Sequence, residues 1–206
     1  MDFEVSSKRE RRGILAGMLL GGARRNGDNF YLLHPARHRA HAELQRQLLE
    51  RIGGRPVALK MYLTRQGERW LRLQPKQTPL IRVLVQRLYP GGTRTIARPF
   101  LRHLTRQGLV LWYLDRGSRA FRYRNSRIRS LEVSLHVGAS RAECETIAAY
   151  FARTWGWQWG IARGKRGYRL RLGSQAGRQF LAELRPQLPP SLRHKADPAR
   201  NATVAT

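Results

Sequence analysis

Two short apolar stretches, about 94 residues apart, limit what this chain can fold into. The first, Ile14–Ala23, reads ILAGMLLGGA. The second, Gly108–Ser118, reads GLVLWYLDRGS. Neither is long enough to span a bilayer. Each reads as a helix buried on all sides, although Ala16, Gly17 and Gly21 interrupt the first with small residues. Glycine weakens an isolated helix, so it makes sense here where a second helix backbone must come close. The pair therefore predicts a duplicated unit in which Gly13–Gly21 packs against Gly108–Leu114.

The segments between these stretches repeat in the same order. Met1–Arg12 is polar and reads as a basic arm carrying Arg9, Arg11 and Arg12. After the first apolar helix, Asn26-Gly27-Asp28 is a turn signal and Asn29–His34 a strand. Pro35 opens a helix over about Arg37–Ile52, closed by Gly53-Gly54. Val57–Thr64 alternates, with Val57, Leu59, Met61 and Leu63 inward and Lys60 and Tyr62 outward. A loop at Gln66–Glu68 returns it as Arg69–Gln74, with Trp70 and Arg72 outward. Thr78–Leu88 is a helix, and Pro90–Thr93 breaks the chain. Pro99–His103 then leads into the second apolar helix. Arg119–Asn125 and Leu131–Val137 follow as strands. Ser140 with Glu143 is a capping box opening a helix that runs to about Thr154. Trp155–Ala162 and Tyr168–Leu172 are strands around the basic loop Gly164–Gly167, and Ser174–Leu184 is the last helix.

The fold class is therefore α+β, with two pseudo-symmetric αββαββα lobes and antiparallel sheets. The expected division is an arm at 1–12, lobes at 13–92 and 93–195, and a disordered tail at 196–206.

Charge narrows the function. Lys plus Arg number 40 against 13 acids, a net charge of +27. Such density needs a polyanionic partner, and with 41% hydrophobic residues the chain is globular rather than a disordered tail. Nucleic acid leads over an anionic membrane surface. A ribosome- or membrane-associated basic protein is disfavoured, since a nonspecific binder needs no alternating basic strands. Cys144 is the single cysteine, so no intrachain disulfide is possible. With no signal-like or membrane-spanning segment, the chain reads as soluble and intracellular.

Leu104–Ser118, LTRQGLVLWYLDRGS, resembles the second signature of the LAGLIDADG homing endonucleases, in the branch where it runs close to LTPLALAIWYMDDGS. Leu104, Thr105, Leu109, Trp112, Tyr113, Asp115, Gly117 and Ser118 match. Ile14–Ala23 is similar to the first signature, close to IAGLLLGDG, and Pro189-Pro190-Ser191 followed by basic residues resembles the close of that branch. The resemblance covers roughly residues 11–195. It implies saddle-shaped sheets that recognise long DNA sites. It also implies two motif-end carboxylates holding divalent metal over the scissile phosphates. At those two positions this chain has Gly22 and Arg116. Asp115 is a possible substitute acid, and on a helix it points about 100° away. Asp28, in a turn, is a second acid that could approach.

The expectation is a monomeric nucleic-acid binder that takes double-stranded DNA and has lost cleavage. Its binding residues are Lys60, Tyr62, Arg72, Arg122, Arg124, Arg169 and Arg171, and it needs no cofactor, with Mg²⁺ required only if endonuclease activity survives. The alternatives are an active endonuclease with non-standard ligands and an RNA-binding intron maturase or splicing cofactor. His34, His38 and His41 read as a surface helix start, because no cysteine or second cluster accompanies them. Trp155, Trp157 and Trp159 read as core and sheet packing rather than a stacking platform for bases.

Overall fold

The structure, a computed structural model, describes residues 3–125, 127–164 and 167–198. The expected loop residues Lys165 and Arg166, and most of the expected tail (199–206), lie outside the described residues. In chain order the elements are α1 (Lys8–Leu20), β1 (Arg24–Asn26), β2 (Asn29–Pro35), α2 (Arg39–Gly53), β3 (Leu59–Leu63), β4 (Arg69–Leu73), α3 (Pro79–Leu88) and the single turn α4 (Arg98–Leu101). The order then repeats as α5 (Arg106–Arg116), β5 (Gly117–Arg124), β6 (Arg127–Ala139), α6 (Arg141–Trp155), β7 (Gly160–Gly164), β8 (Gly167–Leu172) and α7 (Ser174–Leu184). This is the αββαββα order twice, with two antiparallel four-stranded sheets ordered β1-β2-β4-β3 and β5-β6-β8-β7.

The chain forms two compact units, one of residues 3–95 with 99–115, the other of 96–98 with 116–198. In the first unit the two apolar helices lie against each other. A Cβ on Gly17 would overlap the Gly108 carbonyl, one on Gly108 would overlap the Gly13 carbonyl, and one on Gly13 would overlap Thr105. This backbone-to-backbone approach requires glycine, and it draws α5 as far as Asp115 into the first unit. Ile14–Met18 and Leu109–Trp112 are fully buried.

α1 starts at Lys8 rather than Gly13, because the Ser7 hydroxyl accepts the Glu10 N–H and caps it. Arg9, Arg11 and Arg12 are therefore helical rather than part of an arm. β1 adds a fourth strand that three polar residues do not signal. On β2 and β4, Phe30, Leu32, Leu71 and Leu73 are buried under the helices. Met61 and Leu63, expected inward, are 61% and 65% exposed. They keep the register of that face, Met61 pairing with Leu71, but sit on the edge strand.

In the second unit Leu131, Val133, Leu135, Leu170 and Leu172 are buried against α6 and α7. The capping box forms: Ser140 Oγ accepts the Glu143 N–H and Glu143 Oε2 accepts the Ser140 N–H. The expected strand over Trp155–Ala162 starts only at Gly160. Trp155 is instead the last residue of α6, with Gly156 (φ 77°) as a left-handed cap. Trp157 packs on Phe180 at 5.0 Å, and Trp159 on Phe180 at 5.1 Å and Phe151 at 5.9 Å between ring centroids. Trp157 and Trp159 thus pack against α7, while Trp155 packs on Tyr150, Phe151 and Trp157.

Candidate nucleic-acid interface and the motif-end cluster

Register fixes which strand side chains share a face. In the first sheet Lys60 and Leu33 both pair with Arg72, and Tyr62 pairs with Trp70. These residues stand on the side opposite buried Leu71 and Leu73. The Arg72 guanidinium lies 4.3 Å over the Tyr31 ring and donates to Gln74 Oε1 at 2.7 Å. Its stem is thus fixed on an aromatic platform.

In the second sheet Arg122 pairs with Ser130, Arg171 with Ser134 and Arg169 with His136. All three lie opposite the buried Leu131–Val137 side. Arg124 lies beyond a register shift at Arg122/Tyr123 and pairs with Arg127. Glu132 stands among these cations, with Arg169 Nη2 at 3.0 Å and Arg171 Nη1 at 3.7 Å. One acid therefore positions two arginines without neutralising the row. His136 shares this face and its Nε2 lies 3.2 Å from the Ser118 hydroxyl. Partial burial, and then the charges of Arg169 and Arg116, hold its pKa below the ordinary histidine value. Arg119 lies on the opposite side of β5 and has a structural role: it stacks on Phe121 and bonds the Asp197 carbonyl.

None of the residues of β1–β4 is acidic, and among the described residues of β5–β8 the one acid is Glu132. Both sheets thus offer cations and hydrogen-bond donors with almost no opposing charge, the composition that phosphate oxygens select.

The motif ends carry different chemistry. Gly22 supplies no side-chain ligand and Arg116 supplies a guanidinium. This set does not fit a divalent ion that needs oxygen donors from both positions. Asp115 does not point idly away. Its Oδ2 accepts the Gly22 N–H at 2.9 Å, and the Gln45 amide donates to it at 3.2 Å. His41 Nε2 is 3.4 Å from its Oδ1. Gln45 Oε1 in turn meets His34 Nε2 at 2.6 Å. The substitute acid is therefore tied into a network with its side chain 3% exposed. Asp28, in its turn, instead accepts a hydrogen bond from the Gln86 amide.

His34 and His41 are 4% and 2% exposed, so neither belongs to a surface helix start. Strand alternation offered a signal, because His34 shares the parity of Phe30 and Leu32. At the end of α1, Arg94 donates to the Leu20 carbonyl at 3.1 Å and completes that helix terminus.

Comparisons agree with this architecture. A structure of the homing endonuclease I-WcaI bound to its DNA recognition sequence superposes with a TM-score of 0.73 at 18% identity, covering 94% of this chain and 88% of that one. The N-terminal LAGLIDADG domain of DUF199/WhiA gives 0.51 at 13% identity over 94% and 89%. Mesophilic variants of I-DmoI give 0.51 at 12% identity over 89% and 97%. Among curated proteins, Protein RecA of Mycolicibacterium fallax is 26% identical over 200 residues, 90% of this chain. The chain spans 46% of that relative's length. The profile of the LAGLIDADG DNA endonuclease family matches residues 12–180. The chain belongs to the LAGLIDADG DNA endonuclease family.

Proposed function

We propose that this chain binds double-stranded DNA through the basic strand faces of both units and does not cut it. The observation that carries the reading is the near-absence of acids from eight strands that hold Lys60, Arg72, Arg122, Arg124, Arg169 and Arg171. Tyr62 supplies an aromatic donor on the first face. The DNA-bound homing endonuclease of the same fold supports duplex DNA as the partner.

Loss of cleavage rests on Gly22 and Arg116. Metal-assisted phosphodiester cleavage needs oxygen ligands that concentrate negative charge at the scissile phosphate. A glycine and an arginine at the two motif ends provide none. Asp115, the acid nearest by sequence, already accepts hydrogen bonds from Gly22 and Gln45. Arg116 suits a phosphate oxygen better than a cation.

Binding is tested by measuring duplex affinity across salt concentrations for the wild type and for the combined Lys60→Ala, Arg72→Ala, Arg122→Ala variant. Removing one phosphate-bound cation reduces the log–log salt slope by about 0.9. The expected result is weaker binding with a slope shallower by about 3 when all three cations are removed. An unchanged slope and affinity would remove these faces from the interface. Running the same titration on a single-stranded RNA of equal length decides the nucleic acid, and tighter RNA binding would contradict the assignment.

A further inference from the structure

His34, His41 and Asp115 come from three elements, β2, α2 and α5, and all lie in the first unit. Their ligating atoms lie within 4.8 Å of one another, and among the described residues this is the one such cluster. The two imidazole rings are 4.8 Å apart between centroids and tilted by 57°. All three side chains are buried, in a unit whose neighbouring core positions are Phe30, Leu32 and Leu48. Polar side chains at such positions are costly unless they are satisfied, and these are held to one another and to Gln45.

The donor chemistry selects the ion. Two imidazole nitrogens and a carboxylate oxygen suit Zn²⁺ and its neighbours, whereas Mg²⁺ takes oxygen donors and keeps its waters. Tetrahedral Zn²⁺ with bonds of about 2.0–2.1 Å places its ligands about 3.3–3.4 Å apart. The His41–Asp115 pair already stands at 3.4 Å. His34 needs a small rotation, and the ion would take the place of the proton between His34 Nε2 and Gln45 Oε1. That leaves the Gln45 amide oxygen as the adjacent fourth donor. The Gly22 N–H, bonded to Asp115 Oδ2 at 2.9 Å, supplies the outer hydrogen bond that holds a ligating carboxylate in place.

We propose that His34, His41 and Asp115, with Gln45 beside them, form a binding site for a Zn²⁺-class ion that clasps the end of the motif helix α5 to β2 and α2. The ion is structural. It is distinct in donor set and position from a pair of motif-end carboxylates, and it supplies no step in DNA cleavage.

The test uses the full chain, stripped with EDTA and titrated with Co²⁺ and then Zn²⁺. The expected result is one tetrahedral Co²⁺ visible band per chain, bleached by Zn²⁺, with a rise in thermal midpoint on Zn²⁺ addition. His41→Gln keeps a polar side chain of similar length, and its far-UV dichroism reports folding. It should lose the band and weaken Zn²⁺ binding by at least the roughly 10–100-fold that loss of an outer partner costs. His136→Gln, on the second sheet, should keep the band. A wild-type chain with no tetrahedral Co²⁺ spectrum overturns the proposal without recourse to any variant. So does a folded His41→Gln variant that binds Zn²⁺ as the wild type does.

Discussion

Single residues decide the chemistry at the motif end. A Cβ on Gly22 would lie 3.3 Å from the Asp115 carboxylate carbon and from both its oxygens. Restoring the family acid by Gly22→Asp therefore sets a second carboxylate against a buried one, where like charges cannot both ionise cheaply. We expect Gly22→Asp alone to lower the thermal midpoint, and Gly22→Asp with Asp115→Asn to recover part of the loss, by calorimetry. Cys144 is buried, and burial followed by Glu143 and Glu145 pushes its thiol up to about 11. It should resist alkylation at neutral pH in the folded protein and react after denaturation, read by mass spectrometry. His103 and His136 both have depressed pKa values, chiefly from burial. The unfolded chain therefore binds protons at these sites first as pH falls below about 6.5. Stability from both is present above that pH and is lost as pH falls from it through the lower folded-state values. Arg87 Nη1, 2.6 Å from His103 Nε2, fixes the neutral form as acceptor. His103→Gln should flatten the drop in thermal midpoint between neutral and mildly acidic buffer. A midpoint that falls equally in the variant would remove His103 from the effect.

At the scale of elements, glycine spacing was the legible signal. Ala16, Gly17 and Gly21 read in sequence as marking a close helix contact; the structure puts Gly17 against the Gly108 backbone and Gly21 against the Asp115 side chain, and adds Gly13 and Gly108 to the contact. Gly17→Ala or Gly108→Ala should cost about 3 kcal/mol or more, because the obstructing atoms are main chain and cannot rotate away. Urea denaturation measures this, and a loss below about 0.5 kcal/mol would contradict the packing. Ser140→Ala, which removes a capping-box hydroxyl, should cost about 1 kcal/mol. Strand parity was legible for Lys60, Arg72, Arg122, Arg169 and Arg171, since each alternates with leucine or another apolar residue. It failed at Met61 and Leu63, because alternation gives the face of a strand but not whether a helix reaches its edge. It failed at Trp155 too, where a tryptophan run resembles a strand while Gly156 supplies a helix cap. Strand parity marked His34 as inward, but its meeting with His41 and Asp115 was not legible. The three are separated by up to 81 residues and meet only through tertiary packing.

At the scale of the whole molecule, duplication and charge carry the functional reading. Two sheets of the same order, each nearly free of acids, sit in a chain of net charge +27. On the proposed reading, the electrostatic term of DNA binding does not require motif-end carboxylates, because it depends on cations distributed over strands rather than on one motif end. We expect duplex binding without cleavage. It is tested most directly by incubating the full chain with a randomised duplex library in Mg²⁺ and in Mn²⁺, then sequencing both the retained and the cut molecules. The expected result is salt-sensitive retention of duplex with no double-strand product in either metal. A specific double-strand cut at any site, or retention that does not weaken as salt rises, would contradict it.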